Sequence, residues 1–413
     1  MISPPFVPLY LCFAAAYVLS YLFRTVNAVI SPELSASLGV SASSLGVLTS
    51  AYFAAFAAMQ LPAGMLLDRY GPRRVEPLFL AIAGCGALTF ASSEQLGGLV
   101  LARALIGAGV SICLMSPLKA IATWYPPERH ASLVGWIMVA GSIGILLSTA
   151  PLAAALSVLS WRAIFVVLAA ATFAAALAIF FIVPDTPASM RSAGLAAQWA
   201  GVKRVFRTAR FWWIAPLCCI STGSFMAIQG LWSVPWLMEV NGYSRAIAAD
   251  HLLIVALVIL VGYLALGSFA TRLRKRGIEP RHIFAVGFGV HLLMLTLITA
   301  GAVPSTYVAW AVYGLASGVN VLAFTMLGEG FPRELTARAN TALNLVMFLG
   351  SFSMQSGIGI LADTARAWLG VDAAGGLRVA FALVAAAQAV AYTWFAMGWR
   401  RHAVVGSVAG VTA

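Results

Sequence analysis

Charge is what this 413-residue chain has least of, and acid least of all: 13 Asp and Glu stand against 25 Lys and Arg, and charged residues make up only 9%. Soluble domains carry about a quarter charged residues, so water is excluded as the main solvent. The shortage of acid leaves no clustered carboxylate pair inside an apolar run, and H-E-x-x-H, G-x-S-x-G and phosphate-cradling P-loop patterns are missing. No enzyme, cofactor or metal site is expected. The five cysteines (Cys12, Cys85, Cys113, Cys218, Cys219) all fall in apolar runs, where they read as small buried hydrophobes rather than disulfide or metal ligands. The net charge of +12 does not gather into one patch. Its basic residues sit in short loops, so lipid headgroups rather than nucleic acid are the expected partner.

Apolar residues are abundant: 62% of the chain, with a mean hydropathy of +0.94. Stretches of about 20 apolar residues, enough to cross roughly 30 Å of hydrocarbon as a helix, lie near 8–30, 44–66, 76–93, 97–121, 131–153, 162–183, 210–233, 248–270, 283–301, 305–328, 338–361 and 378–398. Lipid cannot satisfy backbone polar groups, so these are expected to be helices. The first is too long, and has no basic residue before it, to read as a cleavable signal peptide. With both termini cytoplasmic, 18 of the 25 basic residues fall on the inside and four (Arg162, Arg245, Arg366, Arg378) outside, while Arg24, Arg103 and Lys119 lie within helices. That asymmetry sets the expected topology: a multi-pass protein of a bacterial inner membrane.

The chain also repeats itself. Gly64 to Arg69 has a degraded echo at Gly267 to Arg272, with Thr271 in place of Asp68, and Tyr125-Pro-Pro-Glu-Arg129 is echoed by Phe331-Pro-Arg-Glu-Leu335. The expected fold class is an all-α membrane protein of twelve transmembrane helices in two pseudo-symmetric six-helix halves, 1–183 and 210–399, with a cytoplasmic linker at 184–209 and a tail at 400–413. Leu195, Trp199, Val202 and Phe206 share one face of the linker, which reads as an interfacial helix or as a disordered basic segment.

The run Gly64-Met-Leu-Leu-Asp68-Arg69-Tyr-Gly71-Pro-Arg73-Arg74 resembles the loop signature G-x-x-x-D-R-x-G-R-R of the major facilitator superfamily of secondary transporters. Arg103, Gly107 and Gly109 are similar to its R-x-x-x-G-x-G pattern in helix 4, Trp161-Arg162 and Phe165 to its W-R-x-x-F opening of helix 6, and Val183-Pro-Asp-Thr-Pro187 to its exit. The drug/proton antiporter pattern G-x-x-x-G-P-x-x-G-G is not reproduced in helix 5, where Gly135, Gly141 and Gly144 lack the Gly-Pro pair. The resemblance implies alternating access by two rocking halves, with Asp68 docking near Ala339 and Asn340 as a latch. Gly64, Asp68, Arg69, Gly71, Arg73, Arg74, Arg103 and Gly107 are its gating and motif residues.

Polar stripes on apolar helices mark the expected path of a solute, because such groups are costly against lipid. Tyr17, Ser20, Tyr21, Arg24 and Asn27 fall within about 120° of arc on helix 1. Asn340, Asn344, Ser351 and Gln355 stripe helix 11; Thr222, Phe225, Gln229 and Trp232 stripe helix 7; Ser317 and Asn320 lie in helix 10. The binding set is therefore expected to be Arg24, Tyr17, Tyr21, Asn27, Gln229, Trp232, Asn320, Asn344 and Gln355, around a central cavity. Arg24 is the sharpest candidate: guanidinium cannot shed its charge, so it needs a buried anion or an outward path to water. By this segmentation all 13 acids fall in loops or near helix ends, which leaves a solute carboxylate or phosphate as its partner. Tyr21 to Pro32 also resembles helix 1 of the anion:cation symporter branch, with Phe23 in place of that branch's aspartate and Asn27 one place late. His291, alone in helix 9, reads as a packing or polar contact, and Lys119 as a residue reaching the headgroups.

The sequence thus describes a monomeric secondary active transporter of a small organic solute, anionic and carboxylate-bearing, coupled to H⁺ or Na⁺. Glu33, Glu329 and Asp363 are the candidate titrating acids. The alternatives are a proton-coupled exporter of drugs or metabolites, and a transporter-like receptor that binds without translocating.

Overall fold

The computed structural model describes residues 6–39, 41–185, 200, 203–275, 279–328, 330–331 and 333–403. Among these, twelve helices are long and apolar enough to cross a bilayer: α1 (Val7–Ser37), α2 (Ala42–Leu67), α3 (Pro72–Ser92), α4 (Leu96–Trp124), α5 (Leu133–Ala155), α6 (Trp161–Ile182), α7 (Ala209–Val240), α8 (Arg245–Gly262), α9 (Pro280–Ala300), α10 (Thr306–Gly328), α11 (Arg338–Leu369) and α12 (Ala373–Trp399). The even number returns the last helix to the end of the bundle where the first began. Of the linker, 203–206 form a helical turn with Val205 buried; Leu195, Trp199 and Val202 lie outside the described residues.

Several spans differ from their expected bounds, α1 running on to Ser37 and α12 starting at Ala373 among them. α3 starts at Pro72, since proline without an N–H suits a first helical turn. α7 runs on to Val240 through turns of π type at Cys218–Thr222, Ile228–Trp232 and Trp236–Val240, the wider turns absorbing Pro216 and Pro235 within the helix. α11 continues to Leu369, because the polar stretch after residue 361 still favours a helix once it leaves the hydrocarbon.

α3 packs along α4 and α6, α1 along α5, α9 along α10, and α11 along α12. The first six and last six helices meet where α2 lies against α11, α1 against α7, and α5 against α8. Large apolar side chains on the outer faces, such as Val7, Phe181, Val286 and Val390, are exposed. Lipid is their solvent, so they need no protein partner.

Two glycines are required by geometry. Gly71, at φ +78°, ends α2 with its N–H on the Leu67 carbonyl at 2.9 Å and turns the chain into α3. Gly107 brings α4 against α2 so closely that a Cβ would stand 2.1 Å from the Tyr52 carbonyl oxygen. α4 is broken at residues 111–114, and α10 at Gly318–Asn320. The two breaks correspond under the offset that relates the Tyr125 and Phe331 motifs, and discontinuous helices at matched positions mark binding regions in transporters built from repeats.

Gly107→Ala is expected to cost about 1–3 kcal/mol through overpacking against backbone and to lower Tm. Gly135→Ala, where a Cβ meets open space, is expected to leave Tm unchanged or raise it. Equal Tm for Gly107→Ala and wild type would show that the helix contact is not tight.

Candidate functional site

Arg24 projects from the middle of α1 into a ring of aromatic side chains. Its guanidinium carbon stands 4.4 Å from the Tyr21 ring centroid, and 5.3 Å from those of Phe56 on α2 and Phe348 on α11. The Tyr52 hydroxyl lies beside it. Arg24 is 8% exposed, its Nε has no hydrogen-bond partner, and among the described residues no carboxylate pairs with it. Ring faces are negative, so they stabilise the cation without neutralising it. The aromatic ring closes the cavity expected at this level, for Phe56 and Phe348 stack across the α2–α11 seam at 4.2 Å.

Other members of the expected set gather around the same seam. Tyr17 and Tyr21 meet edge to face at 5.0 Å with hydroxyls 3.5 Å apart. Asn344 donates to Gln60 Oε1 at 3.2 Å, and Gln60 Nε2 donates to the Ser111 carbonyl at 3.3 Å, at the break of α4. Gln60 was not among the expected residues. Its only mark in the sequence is a lone amide in the apolar run of α2, and no stripe accompanies it.

Further along, Asn27 Nδ2 donates to Thr49 Oγ1 at 2.8 Å, which leaves its Oδ1 unpartnered. Trp232 spends its indole N–H on the Gln355 carbonyl at 3.1 Å, a tie between α7 and α11. The Gln355 amide and Gln229 Nε2 have no partner. Unpaired amides in an apolar interior are costly. Asn320 sits in the break of α10, and none of its described contacts joins it to the Arg24 ring.

Arg103 does different work. It is wholly buried, donates to the Phe23 carbonyl at 2.8 Å, and lies 4.8 Å from the Tyr52 centroid, so it holds α1 onto α4 and α2. Phe23 itself points away from Arg24, toward Phe165 on α6. Arg73 and Arg74 pair with Asp185 at 3.3 and 3.4 Å, joining the α2–α3 turn to the exit of α6. These pairs are half exposed and worth about 0–1 kcal/mol. The Asp68 side chain lies outside the described residues. His291 packs flat on Tyr313 at 4.2 Å with Nδ1 3.1 Å from that residue's carbonyl, as a packing role requires.

The candidate acids are engaged at the end of the bundle opposite the termini. Glu33 pairs with Arg245, whose guanidinium also reaches the Val29 carbonyl at 2.7 Å, so α1 is fastened to α8. Asp363 accepts the Ser43 N–H at 2.8 Å and caps α2 from α11. Glu329 lies outside the described residues. Glu76 lies near a helix end, as expected of the acids, but because α3 starts at Pro72 its carboxyl is one turn inside and fully buried.

Twelve spanning helices, two of them broken at matched positions, define a multi-pass integral membrane protein. The chain belongs to the Major Facilitator Superfamily, whose family model matches residues 13–355. It is 28% identical over 375 residues to the hexuronate transporter of Escherichia coli (strain K12), covering 84% of this chain and 85% of that one. It is 25% identical over 385 residues to the D-galactonate transporter of Escherichia coli O6:H1, covering 84% and 86%. Its fold is similar to that of a bacterial homolog of the human lysosomal transporter Spinster, inward-facing and unoccupied, with TM-score 0.74, 16% identity and coverage of 95% of this chain and 96% of that one.

Arg103→Ala is expected to lose about 1–3 kcal/mol of stability by freeing a buried carbonyl and opening a void, read as a lower Tm in detergent. Arg24→Ala is expected to keep a Tm near wild type. The reverse order would exchange the two roles.

Proposed function

We propose that this protein carries a sugar acid of the hexuronate or aldonate kind across a bacterial inner membrane by alternating access, its two six-helix halves (1–183 and 210–399) rocking about the seam of α1, α2, α7 and α11. The observation that carries this reading is a fixed buried cation with no carboxylate partner: Arg24, ringed by Tyr21, Phe56 and Phe348. A guanidinium offers a planar fork that matches a carboxylate by two parallel hydrogen bonds. The rings supply a desolvated wall that strengthens such a pair. The polar groups of Asn27, Gln60, Gln229, Asn344 and Gln355 suit the hydroxyls of a polyol chain. Similarity to the hexuronate and D-galactonate transporters supports the same chemistry, as does the likeness of α1 to the anion:cation symporter branch. A coupling ion, H⁺ or Na⁺, would accompany the solute, and the protein would act as a monomer.

Uptake of radiolabelled D-glucuronate, D-galacturonate and D-galactonate into proteoliposomes tests the assignment. At least one is expected to be taken up and to raise Tm, since a ligand of the folded state stabilises it by mass action. If all three fail in both measurements, the sugar-acid reading is wrong.

The termini are proposed to face the cytoplasm, where most of the basic loops then lie. A single cysteine at Glu279 is expected to react with an impermeant maleimide only from inside, and one at Asn241 only from outside; opposite labelling would invert the topology.

Arg24→Lys is expected not to restore transport, because an ammonium does not reproduce the two-pronged contact. Arg24→Ala is expected to weaken sugar-acid binding by about 2–5 kcal/mol, with far less effect on a neutral hexose alcohol. Equal losses for neutral and anionic ligands, measured by calorimetry, would make Arg24 structural.

A further inference from the structure

Glu76 is buried where the proposed solute site makes no use of it. It has no exposed surface, and what faces its carboxyl is a hydroxyl and a thiol rather than a cation. These are Ser116 Oγ, in the first turn of the helix that resumes after the α4 break, and the Cys113 thiol, within the break itself, both placed to hydrogen-bond the carboxyl. Pro117 accounts for that break, since it has no N–H to offer the Cys113 carbonyl four residues earlier and its ring crowds that position. A carboxyl on α3 therefore faces a stretch of α4 whose backbone has already left the regular helix.

Among the described residues, no neighbouring element supplies a counter-charge. On α3 itself, Arg73 and Arg74 turn to Asp185. On α4, Arg103 is committed to the Phe23 carbonyl and the Tyr52 ring, and Lys119 stands about one turn beyond Ser116, half-buried. On α1, Arg24 lies in its aromatic ring, and the Cys12 thiol is within electrostatic reach of Glu76. α2 presents the neutral Gln60 to the α4 break. α6 packs its apolar face, including Ile179 and Ala176, and the neutral Thr172 in the bundle interior. An ionised carboxylate in such a place would be an uncompensated buried charge, whereas the neutral acid is far cheaper to keep there. Cys113 lies within electrostatic reach of both Glu76 and Arg24, so one helix break adjoins both groups.

We propose that Glu76 is a proton-binding site of the transport cycle: it holds its proton while α3 and α4 are closed around it, and releases it to water when the end of the bundle that carries the termini opens. Solute and proton would then occupy opposite sides of the α4 break, each altering the cost of opening it. The role rests on the transporter reading, but the site does not depend on which solute is carried.

Two measurements on the full-length protein test it. Infrared difference spectra of the reconstituted protein are expected to show a neutral-carboxyl band that disappears as pH is raised and that is missing in Glu76→Gln. In proteoliposomes, an imposed inward proton gradient is expected to drive accumulation of D-glucuronate or D-galacturonate by wild type. Glu76→Gln is expected to lose roughly tenfold or more of that accumulation, a coupling of ordinary size, while solute exchange without a gradient persists. Accumulation indifferent to the pH gradient in wild type, undiminished accumulation in Glu76→Gln, or an acid band that survives the substitution would overturn the proposal. If neither sugar acid enters wild-type vesicles, the substrate assignment fails and the infrared titration alone decides Glu76. Should Glu76→Gln not fold, Glu76→Asp is read instead: a shifted acid band supports the site, and an unshifted one refutes it.

Discussion

Inside hydrocarbon every backbone N–H and C=O must find its partner within the protein, and the rest of this architecture follows from that requirement. It makes the twelve apolar runs helices and turns polar groups on their outer faces back onto the helix, as the Thr296 and Thr393 hydroxyls donate to the Leu292 and Ala389 carbonyls. It also makes any departure from the regular helix expensive. The departures here are few and gathered inward: the break of α4 before Pro117, the break of α10 at Gly318–Asn320, and the π-type turns of α7. Those of α4 and α7 lie near the seam between the two sets of six helices, where the amides of Gln229 and Gln355 stand unpartnered, while that of α10 packs against α8 and α9. Gln60 shows the consequence, since its amide reaches the Ser111 carbonyl at the α4 break on one side and Asn344 of α11 on the other.

Buried cations obey the same logic with larger energies. Arg103 and Arg24 both flank Tyr52, one from α4 and one from α1. Arg103 spends a hydrogen bond on the backbone of α1 and so becomes part of the scaffold. Arg24 has rings around it and no carboxylate, which makes it the one of the two that an anionic solute would complete. A cation–π wall is suited to that task because it stabilises the charge while leaving the fork of hydrogen-bond donors free for a ligand.

The end opposite the termini is fastened by different means. The Glu33–Arg245 pair, the Arg245 contact to the Val29 carbonyl and the Asp363 cap on α2 all cross between the two sets of helices. They are partly exposed and individually modest. Such contacts break at little cost, whereas nearer the middle of the bundle the same seam is packed by the Phe56–Phe348 stack.

The sequence by itself determined the solvent, the number of spans, the internal repeat and the family resemblance, because hydrocarbon thickness and backbone satisfaction act on runs of residues that are visible without a fold. It also singled out Arg24, since a permanent charge amid apolar neighbours is conspicuous in one dimension. Other features were decided only by tertiary structure. That Arg103 grips Phe23 while Arg24 does not, that Trp232 ties α7 to Gln355, that Glu33 meets Arg245, and that Gln60 bridges α4 and α11 all depend on contacts between residues 51 to 284 positions apart. Glu76 is inconspicuous for a more local reason. A span taken to start at residue 76 leaves it among the acids at helix ends, and only the start of α3 at Pro72 and its packing against the broken α4 show that it is sealed inside.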